Sequence, residues 1–172
     1  FKNKFLENWG DGVYGLLLKD LTFSKIKNNI FRNNTVGIFM DGASKVDLYH
    51  NEFVNNGWGL KINANCMENR LMNNNFENNT FDVSTSGSLV MNSFRNNYWD
   101  KYEGYDLDKD KIGDVPFHPL SLYAVLAEKN SMIMLLYRTF FVEILDRSEK
   151  LVPSLTPENF VDEQPMMKPN KI

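Results

Sequence analysis

Only one cysteine, Cys66, occurs in the chain, so no disulfide can form within it. Clustered Lys and Arg are also missing, and 19 cations against 22 anions leave a net charge of −3. Phosphate contacts need such clusters, which excludes nucleic acid as a partner. No apolar run reaches the roughly 20 residues that span a bilayer, so the chain is not itself membrane-spanning. An initiator Met is absent, and the chain starts at Phe1 inside a repeat. A solenoid end normally carries a cap. The expectation is therefore the C-terminal part of a longer protein, with earlier coils and any signal peptide upstream.

What the chain has in quantity is asparagine. There are 23, and 20 of them lie before residue 98. Phe5, Phe31, Phe53, Phe76 and Phe94 each follow an Asn by two residues, and each is followed by another Asn three residues on. The steps between these Phe residues are 26, 22, 23 and 18. Such a unit leaves room for two or three short strands and none for a helix pair. In one cycle Val36–Met40 and Val46–Tyr49 are strand-like runs separated by the turn signal Asp41-Gly42. No single cycle can bury its own apolar face. Stacked about 4.8 Å apart, each strand pairs with the next cycle. The Phe rings then form an internal stack, and the Asn residues take corners, where they tolerate left-handed backbone and link side chain to side chain. A leucine-rich repeat would need close-spaced Leu and a helical segment per unit, and neither is present.

The expected fold is an all-β solenoid, a right-handed parallel β-helix with a C-terminal acidic loop and two α-helices. Residues 1–99 form the β-helix, 100–117 the acidic capping loop, 118–150 the helical segment and 151–172 an extended tail. The first helix starts at Ser121 and runs to about Lys129. The second starts after the N-cap Ser131 and runs from Met132 to about Lys150. Its apolar surface goes most of the way round its first half, so it either covers the open end of the solenoid or docks on a partner. Thr156-Pro157 is poised to begin one further turn.

Three chemistries can be placed on this frame. Asp106, Asp108, Asp110 and Asp114 stand at relative positions 1, 3, 5 and 9, the spacing by which a short loop wraps Ca²⁺. Lys111 occupies the position where such a loop wants Gly, and Phe117 the position of its bidentate Glu. Soft ligands for copper come from His50, Cys66, Met67, Met72 and Met91. Aligned on the Phe positions, His50 and Met91 share a column two coils apart, about 9.6 Å by rung spacing. Glycoside cleavage would need two carboxylates facing each other. Asp47 and Asp82 find no aligned partner, so no polysaccharide hydrolase or lyase is read from this stretch. Trp9, Trp58 and Trp99 leave open a different class, a carbohydrate-binding β-helix module of an extracytoplasmic polysaccharide-processing protein.

The stretch from Asn97-Tyr98-Trp99-Asp100-Lys101-Tyr102-Glu103-Gly104-Tyr105-Asp106 to Pro116 resembles the closing motif of the NosD-like β-helix family. Pro119-Leu120-Ser121-Leu122, Leu135–Val142, Leu155-Thr156-Pro157-Glu158 and Val161–Pro169 are similar to the C-terminus of that family. Lys109 and Lys111 depart from it, standing where glycines are usual. The resemblance implies a periplasmic accessory protein, itself no enzyme, that helps load copper into nitrous oxide reductase. It further implies an ABC transporter membrane subunit and a copper chaperone as partners. Under that reading Met132, Met134, Phe140, Phe141, Met166 and Met167 are partner contacts.

Overall fold

A computed structural model describes residues 1–87, 91–130, 132, 133, 139, 144, 145 and 160–172. Each coil carries three short strands. The first holds β1 (Lys4–Leu6), β2 (Tyr14–Lys19) and β3 (Lys25–Lys27). The second holds β4 (Ile30–Arg32), β5 (Val36–Asp41) and β6 (Asp47–Tyr49). The third holds β7 (Glu52–Val54), β8 (Trp58–Ile62) and β9 (Arg70–Met72). The fourth holds β10 (Asn75–Glu77), β11 (Phe81–Thr85) and β12 (Ser93–Arg95), and β13 (Tyr98–Trp99) opens a fifth. Every strand pairs in parallel with its counterpart in the next coil. The three resulting sheets are β1-β4-β7-β10-β13, β2-β5-β8-β11 and β3-β6-β9-β12. This is the expected all-β solenoid, a parallel β-helix.

The interior is an aromatic stack. Phe5, Phe31, Phe53 and Phe76 follow one another with centroids 4.8, 5.1 and 4.6 Å apart, and Trp99 completes the column 4.3 Å above Phe76. Phe94 is not in it, which corrects the alignment drawn from the sequence. Phe94 pairs with Leu71 in another sheet, while Trp99 pairs with Phe76. The last step is therefore 23 residues rather than 18. Asn92-Ser93-Phe94 repeats Asn69-Arg70-Leu71, and the true fifth unit is Asn97-Tyr98-Trp99.

The Asn doublets divide two tasks between them. At one corner Asn28, Asn73 and Asn96 adopt left-handed φ, with Lys2 and His50 in the same column. At the next corner Asn33, Asn55 and Asn78 do so. The second Asn of each doublet turns inward. Asn29, Asn51, Asn74 and Asn97 form one ladder in which the backbone N–H and side-chain N–H of each donate to the Oδ1 of the next. Asn34, Asn56 and Asn79 form a second in the same way. Stacked glycines matter at one column: a Cβ on Gly37 would lie 2.5 Å from the Gly59 carbonyl oxygen.

The C-terminal residues close the last coil. Helix α1 (Leu122–Lys129) begins on the N-cap Ser121, whose hydroxyl accepts from the Ala124 N–H, as the sequence predicts. Leu120, Tyr123, Ala124 and Ala127 are buried, and Tyr123 meets Phe81 at 5.4 Å. The tail, read as merely extended, lies against the end of the solenoid instead. Phe160 and Asp162 are fully buried. Asp162 bridges Phe94 and Phe117, and Met166 bridges Tyr98 and Ile112. Asn170 exchanges hydrogen bonds with Asn75. The second predicted helix lies mostly outside the described residues, as does the turn at Thr156-Pro157. Among the described residues, no helix is long and apolar enough to cross a membrane.

Candidate functional site

The outer face of β3-β6-β9-β12 gathers most of the chemistry. Each of these strands has one inward residue: Ile26, Leu48, Leu71 or Phe94. The alternation of a strand sends its neighbours outward. Register then builds two outward columns, Lys25–Asp47–Arg70–Ser93 and Lys27–Tyr49–Met72–Arg95. Left-handed corner residues flank them. Phe23, Lys45 and Glu68 stand on one side, and Asn28, His50, Asn73 and Asn96 on the other. An open groove of about 600 Å³ runs between the first corner and the first column, lined by Phe23, Lys45, Asp47, Glu68, Arg70 and Met91 among others.

Two ion pairs line the groove. Arg70 donates to both carboxylate oxygens of Asp47 at 2.7 and 2.8 Å. The Arg70 guanidinium holds the Asp47 carboxyl below the usual carboxylate range. Lys45 reaches Glu68 at 3.8 Å and also lies over the Phe23 ring at 5.1 Å.

The structure regroups the proposed copper ligands. His50 does not share a column with Met91. Its N–H donates to the Met72 carbonyl, which sets it level with Asn73 in the next coil. His50 and Met72 are both half-buried and occupy neighbouring coils at one edge of the face. Met91 stands at the opposite edge, its carbonyl accepting from the Glu68 N–H at 2.7 Å. Met67 adjoins Glu68 there, and the two Met side chains are 48% and 69% exposed. The misplacement of Phe94 in the sequence alignment is what put His50 and Met91 together. Cys66 is separate. It is fully buried in the core, and burial pushes its thiol up.

The acidic loop is compact. Asp106, Asp108 and Asp110 can present carboxylate oxygens within 4.8 Å of one another. Asp114 instead accepts from the Leu107 N–H at 2.7 Å. Asp106 accepts from the Asp110 and Lys111 N–H groups, and Asp110 from the Ile112 N–H. For Asp108, the Asp110 N–H favours the ionised form. Desolvation and the charges of Asp110 and Asp114 outweigh it and raise the carboxyl. Lys109 and Lys111 adopt φ of 65 and 77°, the conformation a glycine would take most readily. Their presence therefore does not prevent the turn.

Other expected residues scatter. Trp99 is 1% exposed, Trp58 is half-buried under the Lys61 ammonium at 4.2 Å, and Trp9 is 57% exposed. The three do not make a common stacking platform. Asp82 is buried beside Lys101 at 3.1 Å, and burial raises its carboxyl, with Lys101 opposing. Met132 is exposed. Met134, Phe140 and Phe141 lie outside the described residues. Met166 and Met167 are half-buried, and their N–H groups donate to the Asn97 and Lys111 carbonyls.

The family model described as "Periplasmic copper-binding protein (NosD)" matches residues 1–104. A Stutzerimonas stutzeri protein named probable ABC transporter binding protein NosD is 25% identical over 176 residues, covering 92% of this chain and 40% of the relative. A Pseudomonas aeruginosa protein of the same name is 25% identical over 175 residues, covering 92% of this chain and 41% of the relative. The chain thus spans about two fifths of the length of these relatives.

Proposed function

The chain belongs to the NosD family, and from that premise we propose that it handles copper as cargo in the periplasm. It serves copper-centre assembly in nitrous oxide reductase without catalysing a reaction itself. One observation carries the reading: soft-ligand residues stand along the edges of a single sheet face, His50 and Met72 at one edge and Met67 and Met91 at the other. Thioether and imidazole suit copper, and a surface position suits an ion that must be passed on. The buried Cys66 thiol is left out of this role. Supporting the non-enzymatic reading, the relatives' names describe binding proteins.

The test is a Cu(I) competition titration against a chromophoric chelator. Met67→Leu with Met91→Leu weakens binding, as does His50→Gln with Met72→Leu, while Cys66→Ala leaves affinity unchanged. Equal affinity in wild type and both double variants overturns the assignment.

The finer roles follow the same premise. Residues 118–150, with Met132, Met134, Phe140 and Phe141, dock on the transporter membrane subunit, whereas Met166 and Met167 serve the cap. A copper chaperone and the reductase are the other partners. Deletion of residues 131–150 that leaves transporter association intact removes the docking role. The converging oxygens of Asp106, Asp108 and Asp110 are the support for Ca²⁺ as a structural ion in the loop. A thermal midpoint unmoved by a calcium chelator rules that ion out.

A further inference from the structure

The acidic balance of the chain conceals a basic face. Lys25, Lys27, Lys45, Arg70 and Arg95 project from the β3-β6-β9-β12 surface or its corner, against Asp47 and Glu68. Five cations against two carboxylates give +3, so the remainder of a chain of net −3 carries −6. Both carboxylates are already answered, by Arg70 and Lys45. Lys25 and Arg95 are exposed, and Lys27 sits between the Phe1 and Tyr49 rings at 5.5 and 5.7 Å. We propose that this face is a docking surface for the carboxylate-rich patch of a partner protein. The proposal deepens the copper-handling reading and rests on it, since it says what kind of surface comes against the soft-ligand edges.

Three observations select a protein over other anions. The four strands span about 14 Å along the axis, a small contact of the transient class that buries less than about 1,200 Å². Brief, charge-steered encounters of this kind gain on-rate and specificity more than affinity. Asp47 and Glu68 lie in the middle of the groove, where a uniform polyanion threading along it would be repelled. A protein with mixed charges can answer them. The face is also held flat and stiff by the Asn ladders at its edge, so docking needs no rearrangement of the backbone.

The experiment titrates the ¹⁵N-labelled chain, copper-free, with a soluble Glu-rich peptide carrying interspersed Lys residues, at low ionic strength. Amide shifts should concentrate on β3, β6, β9 and β12. Raising salt from about 20 to about 200 mM weakens binding about tenfold, since exposed charges are screened. Lys25→Glu with Lys27→Glu weakens it about tenfold or more, as rim charge reversal should. Lys25→Gln with Lys27→Gln lies between, and Lys4→Glu on the first sheet has no effect. Shifts mapping elsewhere, or equal binding by the Lys25/Lys27 and Lys4 variants, overturn the proposal. So does preference for phosphatidylglycerol vesicles or single-stranded DNA. The Lys25/Lys27 variants keep wild-type Cu(I) affinity. If the wild type took the mixed-charge acidic peptide on this face but no Cu(I), the copper reading would fall and the docking surface would stand.

Discussion

Asp162 closes the main Asn ladder, and its removal should loosen the end of the solenoid. Its Oδ2 accepts the Asn97 N–H at 3.0 Å, the Asn97 side-chain N–H at 2.9 Å and the Trp99 indole N–H at 3.1 Å. A carboxylate can accept without donating onward, so the ladder needs no further rung. Asp162→Ala leaves the Asn97 backbone N–H and the Trp99 N–H buried without acceptors. The Asn97 side chain keeps its bond to the Leu71 carbonyl. Each orphaned buried donor costs about 1–3 kcal/mol, so the variant should lose about 4 kcal/mol. Asp162→Asn keeps an acceptor but turns an NH₂ toward the Gln164 N–H that Oδ1 now receives. It should lose about 1 kcal/mol. Urea denaturation followed by tryptophan fluorescence measures both, with exposed Glu163→Ala as the control. Chymotrypsin reports the tail separately, because the bond after the buried Phe160 becomes cleavable once the tail detaches. An Asp162→Ala variant within about 0.5 kcal/mol of wild type, the range of an ordinary surface change, with its tail protected, would refute the capping role.

The buried Asp82, paired with the exposed Lys101, makes a pH prediction. The folded carboxyl is raised above 3.8 by burial, so its stabilising contribution is present below 3.8 and is lost as pH climbs through the folded value. The stability of wild type relative to Asp82→Asn should therefore fall from acid toward neutral pH, and a flat difference would count against it. At the loop, Lys109→Gly and Lys111→Gly should each relieve about 1 kcal/mol of left-handed backbone cost, read as slower exchange of the Asp110 and Ile112 amides. Faster exchange in both variants would contradict that.

The periodicity of Asn and Phe was enough to reveal the stacking, the corners and the parallel architecture, because both residue types serve one local job per coil. It failed at Phe94, where a different sheet repeats the same N-x-F spelling. Trp99 was passed over as the fifth ring because it is not Phe. The first helix was readable from Ser121, a local cap. Asp162 was invisible, since it joins a ladder whose previous rung lies 65 residues earlier. The basic face was hidden for a related reason. Lys25, Lys27, Arg70 and Arg95 are far apart in the chain, and only the period-2 alternation of KIK, RLM and SFR combined with register brings them together.

On the proposed copper-handling reading, that same register constrains how the ion can be passed. Hydrogen-bonded rungs fix the separation of the backbones bearing His50 and Met72, and of those bearing Met67 and Met91. The Asn ladders leave no slack for the coils to slide. Any change in coordination must then come from side-chain rotation. Methionine, with three rotatable bonds and a polarisable sulfur, is the residue best able to supply it. A rigid face with mobile thioethers at its edges can offer an ion to a docked partner without unfolding a strand. Under the proposed docking, the cation columns between those edges set the orientation in which the partner arrives.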